Sequence, residues 1–280
     1  MKFSRSDRRE AVTAYTFLIP TFLILGTFQF FPMIWAFGLS LYDYSPLSAE
    51  NTYVGLENFR EMWNDPVFWL SLKNSFLYLL VVPVIITLSL LLATLVEPNL
   101  PFMNFFRACY YAPVVTMMVV VALTWKLIFD TDFGLLNHLL KEIGLVNEGI
   151  PWLTSPDMAL WTVMSVTIWK GLGYYMIMFI VGLKAVPKVL EEAAVIDGAK
   201  PWHVFLHVKV PTLWPIIILT SILSSIMALQ VFEEIYVMTS GKIETSTIVY
   251  NMYETGIQLS AGTMEMGYAA AMGVVLFAIL

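Results

Sequence analysis

Six stretches of this 280-residue chain are apolar over lengths that reach or approach a membrane span, at residues 15–39, 70–96, 105–129, 159–183, 213–238 and 267–280. Five exceed the about 20 residues an α-helix needs to cross the hydrocarbon core of a bilayer. Only 13% of residues are charged and 59% are hydrophobic, against about 25% charged in soluble domains. In lipid every backbone N–H and C=O must be bonded internally, so such runs fold as helices. The expected architecture is an all-α integral membrane protein, a six-span helical bundle forming a single transmembrane domain over 1–280. Residues 267–280 rise only about 21 Å at about 1.5 Å each. The preferred expectation is a span cut short at residue 280, the other being a start near Met264.

The run after the N-terminus is longer than the h-region of a signal peptide and lacks a small-x-small cleavage site, so it is read as the first span. Pro20, Pro32, Pro83 and Pro113 fall within apolar runs. Lipid tolerates them where neighbouring helices or water satisfy the freed carbonyls, which suggests a bundle around a cavity.

Orientation follows from cations in short loops. Lys2, Arg5, Arg8 and Arg9 precede the first run, Arg107 follows the second, and Lys184, Lys188, Lys200 and Lys209 lie between the fourth and fifth. The alternate loops are acidic, with Asp43, Glu50, Glu57, Glu61 and Asp65 beside Arg60, and Asp130, Asp132, Glu142, Glu148 and Asp157 beside Lys141. The N-terminus and residues 187–211 are therefore expected in the cytoplasm of a multi-pass inner-membrane protein. In the second outer loop, Leu135, Leu136, Leu139, Leu140 and Ile143 share the spacing of a short helix lying on the interface.

Several functions are excluded. A formal charge of −6 without a basic patch argues against nucleic acid. Cys109 is the single cysteine and is expected to pack. His203 and His207 are four residues apart, but zinc needs further ligands, so no metal site is assigned. The Gly241-Lys242 pair lacks the upstream glycine of a phosphate-binding loop, and no hydrolase or metalloprotease motif occurs, so the chain is not expected to be an enzyme.

The most polar run of the second half is EEAAVIDGAKPWHVFLHVKVP. Pro187 suits a helix start, Glu191 and Glu192 fall in its first turns, and Val189, Ala193 and Ile196 share one face. Asp197 and Gly198 stop it, since glycine adopts a left-handed cap at least cost. A second helix restarts at Pro201, has Val204, Phe205 and Val208 on its apolar side, and ends at Pro211. A mere connector would not need two helices, and the small Ala193, Ala194, Gly198 and Ala199 allow close approach by another backbone, so the segment reads as a docking knob.

Glu192-Ala193-Ala194, then Asp197-Gly198-Ala199, Phe205 and Val208-Lys209-Val210-Pro211 resemble the EAA loop of permease subunits in binding-protein-dependent ABC importers. The likeness extends to the sugar permease branch, of maltose and glycerol-phosphate type. It runs through Tyr53-Val54-Gly55-Leu56-Glu57-Asn58-Phe59, Asp132-Phe133-Gly134-Leu135-Leu136-Asn137, Pro151-Trp152-Leu153 and Ile235-Tyr236-Val237-Met238-Thr239. It departs at Ser240-Gly241-Lys242, where many relatives have Gly-Gly-Pro. The resemblance implies a coupling loop, Glu191 to Ala194, Asp197 to Ala199, Phe205 and Pro211, that fits a groove on a cytoplasmic ATPase. It also implies a second permease subunit, two ATPase subunits that bind ATP and Mg, and an external solute-binding protein.

Ionisable groups within spans mark candidate pathways. Lys170 sits mid-way along the fourth run, beside Gly171, Gly173, Trp169, Tyr174 and Tyr175. Glycines let a backbone approach a solute, and aromatic rings with hydroxyls suit sugars. The resemblance matches Gly171 and Tyr174 to sugar-contact positions. On the fifth run the polar candidates are Ser224, Ser225, Gln230, Glu233 and Glu234, with one of the two glutamates expected to face inward and to pair with Lys170. The expected function is a permease subunit forming half of the path for a carbohydrate or similar polar solute. The alternative is a proton-coupled secondary transporter using Lys170, Glu233 or Glu234, which leaves the polar loop unexplained.

Overall fold

A computed structural model describes residues 5–48, 51–98, 100–242, 244–257 and 264–280; Lys2 and Glu50, counted above, lie outside these. The chain divides into two compact units, Met1–Asp65 with Met252–Leu280, and Pro66–Asn251.

In the first unit, α1 (Arg5–Leu25) and α2 (Phe31–Leu39) join through a π-helical turn at Gly26–Phe30. There the amide of Phe31 reaches back to the Gly26 carbonyl. Pro32 follows at once in the first turn of α2, where its missing N–H is least costly. The apolar rod Glu10–Leu39 has no buried part in this chain. Phe17 is 79% exposed and Phe28 77%, a surface that lipid stabilises and water does not. Two short strands, β1 (Tyr42–Asp43) and β2 (Thr52–Tyr53), pair antiparallel, so the fold is not purely helical. Buried Asn58, on α3 (Glu57–Asn64), fixes the turn by donating to the carbonyls of Ser40 at 2.8 Å and Tyr42 at 3.0 Å.

The second unit opens with α4 (Pro66–Tyr78) and α5 (Val81–Val96). The break between them lies four residues ahead of Pro83, whose ring cannot accommodate the Leu79 carbonyl in a regular ladder; that carbonyl takes the Val82 amide instead. Then come α6 (Met103–Val115) and α7 (Met118–Ile128), bent by 98°. The run at 105–129 is therefore not one straight helix: Thr116 and Met117 are extended and turn the chain. After α8 (Leu135–Glu142), the 27-residue α9 (Ala159–Ala185) forms the spine of this unit. Its Val163, Met176 and Phe179 are fully buried beside Tyr78 and Val81. A Cβ at Gly173 would fall on the Tyr110 carbonyl, so this glycine lets α9 and α6 touch backbone to backbone. Its role is packing, while Gly171 faces the cavity described below.

The segment after α9 continues as α10 (Lys188–Ile196), α11 (Pro201–Val204), a π turn at Phe205–Lys209, α12 (Val210–Thr212) and α13 (Trp214–Leu229). Pro211 does not end the second helix as expected; it sits in the first turn of α12 and the chain winds on into α13. The run at 213–238 is interrupted as well, because α13 stops at Leu229 and α14 (Glu233–Met238) starts after an irregular turn. The segment after α14 holds an unexpected element, α15 (Ile248–Gly256). Ahead of it Thr245, Ser246 and Thr247 are buried, and the Asn74 amide donates to the carbonyls of Glu244 at 2.6 Å and Ser246 at 2.9 Å. Cys109 is exposed on α6 rather than packed. In the first unit the chain closes with α16 (Met266–Ile279), packed on α2 through a T-shaped Phe37–Phe277 pair.

Among the described residues four helical rods are long and apolar enough to cross a membrane, or five if the bent pair counts as one span, and α16 is a shorter apolar helix.

Candidate functional site

A cavity of about 670 Å³ opens in the second unit. Residue spacing on α9 builds one wall: Thr167, Lys170, Gly171 and Tyr174 recur at three and four residues, which stacks them on one helical face. Tyr175 adds its ring, edge-on to Tyr174 at 5.1 Å between centroids. Val81 and Ile85 of α5, Val114 of α6 and Met118 of α7 supply apolar surface. Ser224, Met227 and Ala228 come from α13, followed by Gln230, Val231 and Phe232 from the irregular turn and Glu233 and Glu234 from α14. All eight path candidates (Lys170, Gly171, Tyr174, Tyr175, Ser224, Gln230, Glu233 and Glu234) line this one space. Ser225 and Trp169 do not. Ser225 donates to the Ser221 carbonyl, and Trp169 lies edge-on to Trp125.

Both glutamates reach the cavity, contrary to the expectation that only one would. They occupy the first turn of α14, just after the irregular turn, where free helix N–H groups favour anions. Thr167 donates to Glu234 Oε1 at 3.2 Å, so its oxygen is left to accept from the hydroxyl of Tyr78, 2.6 Å away. A hydrogen-bonded line thus runs from a fully buried tyrosine to a carboxylate on the cavity wall. Thr167 was not singled out in the sequence, although its position three residues before Lys170 was the signal. No ion pair joins Lys170 to either glutamate among the described residues; Nζ instead points to the Val114 carbonyl at 3.5 Å.

The second candidate region is residues 187–211. Helix α10 ends with the amide of Ala199 on the Ala194 carbonyl and that of Gly198 on Val195, with Gly198 at φ +85°. This is a Schellman cap in the left-handed conformation that glycine favours. The face carrying Val189, Ala193 and Ile196 points away from the protein, with Ile196 85% exposed. Glu192, Ala193, Asp197 and Gly198 are exposed, Ala194, Ala199, Phe205 and Glu191 half-buried. Glu191 is turned inward, its carboxylate 3.1 Å from the ammonium of Lys209. His203 and His207 lie near each other, but no group of three metal-ligating side chains occurs among the described residues.

Between α7 and α9, Asn137 is the hub of the connecting segment. Its amide donates to the carbonyls of Thr131 and Ile150, and its oxygen accepts the indole N–H of Trp152 at 2.9 Å. Of the expected leucine face of α8, Leu135 and Leu139 are exposed, while Leu136 and Leu140 are half-buried and Leu136 packs against the core. Asp130 accepts the amides of Asp132 and Phe133, which hold its carboxyl below the ordinary range.

Residues 79–280 match the family described as binding-protein-dependent transport system inner membrane component. The chain belongs to that family. The permease is 34% identical over 256 residues to the lactose transport system permease protein LacF of Rhizobium radiobacter, covering 89% of this chain and 85% of that one. It is 34% identical over 275 residues to the probable ABC transporter permease protein YurN of Bacillus subtilis, covering 97% and 93%. It is 32% identical over 279 residues to the sulfoquinovosyl glycerol transport system permease protein SmoG of Agrobacterium fabrum, covering 98% and 88%. Among solved structures, a chain of a bacterial alginate ABC transporter, in complex with alginate pentasaccharide-bound periplasmic protein, superimposes with a TM-score of 0.85. That match has 22% identity and covers 98% of this chain and 92% of that one, so it fixes the fold. The protein is a membrane permease subunit of an ABC importer, not an enzyme, and works with an ATPase and a solute-binding protein.

Proposed function

We propose that the permease conducts a carbohydrate through the cavity of its second unit. The convergence of Lys170, Gly171, Tyr174, Tyr175, Ser224, Gln230, Glu233 and Glu234 on one space carries this reading. Tyrosine rings offer flat apolar faces to a sugar ring, and the hydroxyl, amide and charged groups exchange hydrogen bonds with its hydroxyls. The names of the relatives point the same way, since LacF and SmoG are permeases of sugar-derived solutes.

In this reading α16 completes a sixth span and the N-terminus lies in the cytoplasm with residues 187–211. The exposed surface of α10 and its cap, with Glu192, Ala193, Asp197 and Gly198 outermost and the half-buried Ala194 and Ala199 beside them, docks in a groove of a cytoplasmic ATPase, while Phe205 and Pro211 join it to α13. A second permease subunit of different sequence supplies the other half of the path, and two ATPase subunits bind the ATP and Mg. A rigid helix pair continuous with α9 and α13 transmits ATPase closure, where a floppy loop would absorb it.

Reconstitution of the assembled importer with its binding protein tests the proposal. The expected result is uptake of a labelled oligosaccharide only with ATP, abolished by bulky substitution of Ser224. Uptake driven by a proton gradient without ATP would overturn it.

A further inference from the structure

We propose that Lys170 is a positioning residue that caps the broken end of α6 and so sets the 98° bend between α6 and α7 beside the cavity. A helix end inside a membrane leaves carbonyls that must find donors within the protein or in a water-filled cavity. At the end of α6, Thr116 deals with two of them: its hydroxyl donates to Ala112 and its amide to Pro113, both at 3.3 Å. The next carbonyl, Val114, takes the Lys170 ammonium from α9. Because α7 restarts in a new direction at Met118, no regular ladder bond reaches Val114. The negative end of the helix dipole lies at the same place and attracts a cation.

The second unit uses the same device twice more. Arg107 of α6 donates to the carbonyls of Val96 at 2.6 and 2.9 Å and Glu97 at 2.8 Å, closing α5. Lys126 of α7 donates to Val237 at 3.0 Å, in the last turn of α14. Three cations thus close three helix C-termini, each from a neighbouring helix, which is chemistry that Lys and Arg perform well at such ends. In this arrangement the Lys170 charge serves the protein backbone, and transport of an uncharged solute still depends on it. The inference rests on the transport reading only for its activity arm.

The test uses the assembled importer in lipid nanodiscs on a Cys109→Ser background, with spin labels at Phe105 on α6 and Leu127 on α7, both exposed. The interlabel distance reads the bend directly. Lys170→Met, close in length but uncharged, should shift or broaden the distribution and reduce uptake of a neutral oligosaccharide at least fivefold. Lys170→Arg should restore both. If Lys170→Met fails to assemble, Lys170→Gln, which keeps a donor without charge, takes its place with the same expectation. An unchanged distance distribution in either uncharged variant overturns the proposal; if uptake then falls only for anionic solutes, the ammonium is a solute anchor. Failure of the parent importer to transport sugar would refute the functional reading and leave the distance measurement interpretable.

Discussion

The ammonium of Lys209 stands 3.1 Å from the carboxylate of Glu191, both side chains partly buried, and the pair ties the π turn to α10. Glu191, expected at an ATPase contact, has its carboxylate turned to Lys209, where it braces α10. In a double-mutant cycle, Glu191→Ala and Lys209→Ala should couple by no more than about 1 kcal/mol, the range of incompletely buried pairs. The exchange Glu191→Lys with Lys209→Glu should recover transport-coupled ATPase activity lost in either single reversal.

Gly198 should behave differently. A Cβ there meets nothing within 4 Å, so any penalty is backbone strain at φ +85° alone. Gly198→Val should cost roughly 1 to 2 kcal/mol locally. ATP hydrolysis should then run without transport, while Gly198→Asn, which tolerates the left-handed region, should remain coupled. Paired ATPase and uptake rates in proteoliposomes decide this.

Asn74 and Ser246 make a contrast within one buried contact. Asn74→Ala leaves the carbonyls of Glu244 and Ser246 without its amide, at about 1 to 3 kcal/mol for each unmet group. The Ser246 hydroxyl is buried and has no partner among the described residues. Ser246→Ala should therefore leave thermal stability unchanged or raise it, whereas Asn74→Ala should lower the melting temperature in detergent by several degrees.

A pH effect is expected in the first unit. Partial burial, then the neighbouring Glu265, Asp65, Glu57 and Asp43 carboxylates, raise the Glu61 carboxyl above its ordinary 4.5. A raised carboxylate binds its proton more tightly in the folded state, so its contribution to stability is complete below 4.5 and is lost as pH climbs through the raised folded value. Glu61→Gln should flatten the fall in melting temperature over that window and be more stable than the parent at neutral pH.

How far the sequence reaches depends on how local the cause is. The Gly198 cap, the helix starts at Pro187 and Pro201, and the clustering of the α9 face follow from spacing along a few residues, and they were legible. The break at Thr116 was not, because the run stays apolar across it; the break at Gln230 is marked by Gln230, Glu233 and Glu234, which read as path residues and not as a helix interruption. Segment 245–251 mixes Thr, Ser and Asn with apolar residues and shows neither period, so its burial was hidden until Asn74 and Ser75 supplied partners. Lys170 was legible as an intramembrane charge, but its carbonyl partner lies 56 residues away on a helix whose end hydropathy did not reveal.

The Asn74 contact also has a consequence during synthesis. Its partners follow it by 170 and 172 positions in the chain, which at about 5–20 residues per second is on the order of 10 to 30 s of translation. Throughout that interval the newly inserted α4 carries an amide with no native acceptor in a medium that offers little else. Until residue 246 has emerged this contact cannot form, so the packing of the second unit is completed late in synthesis.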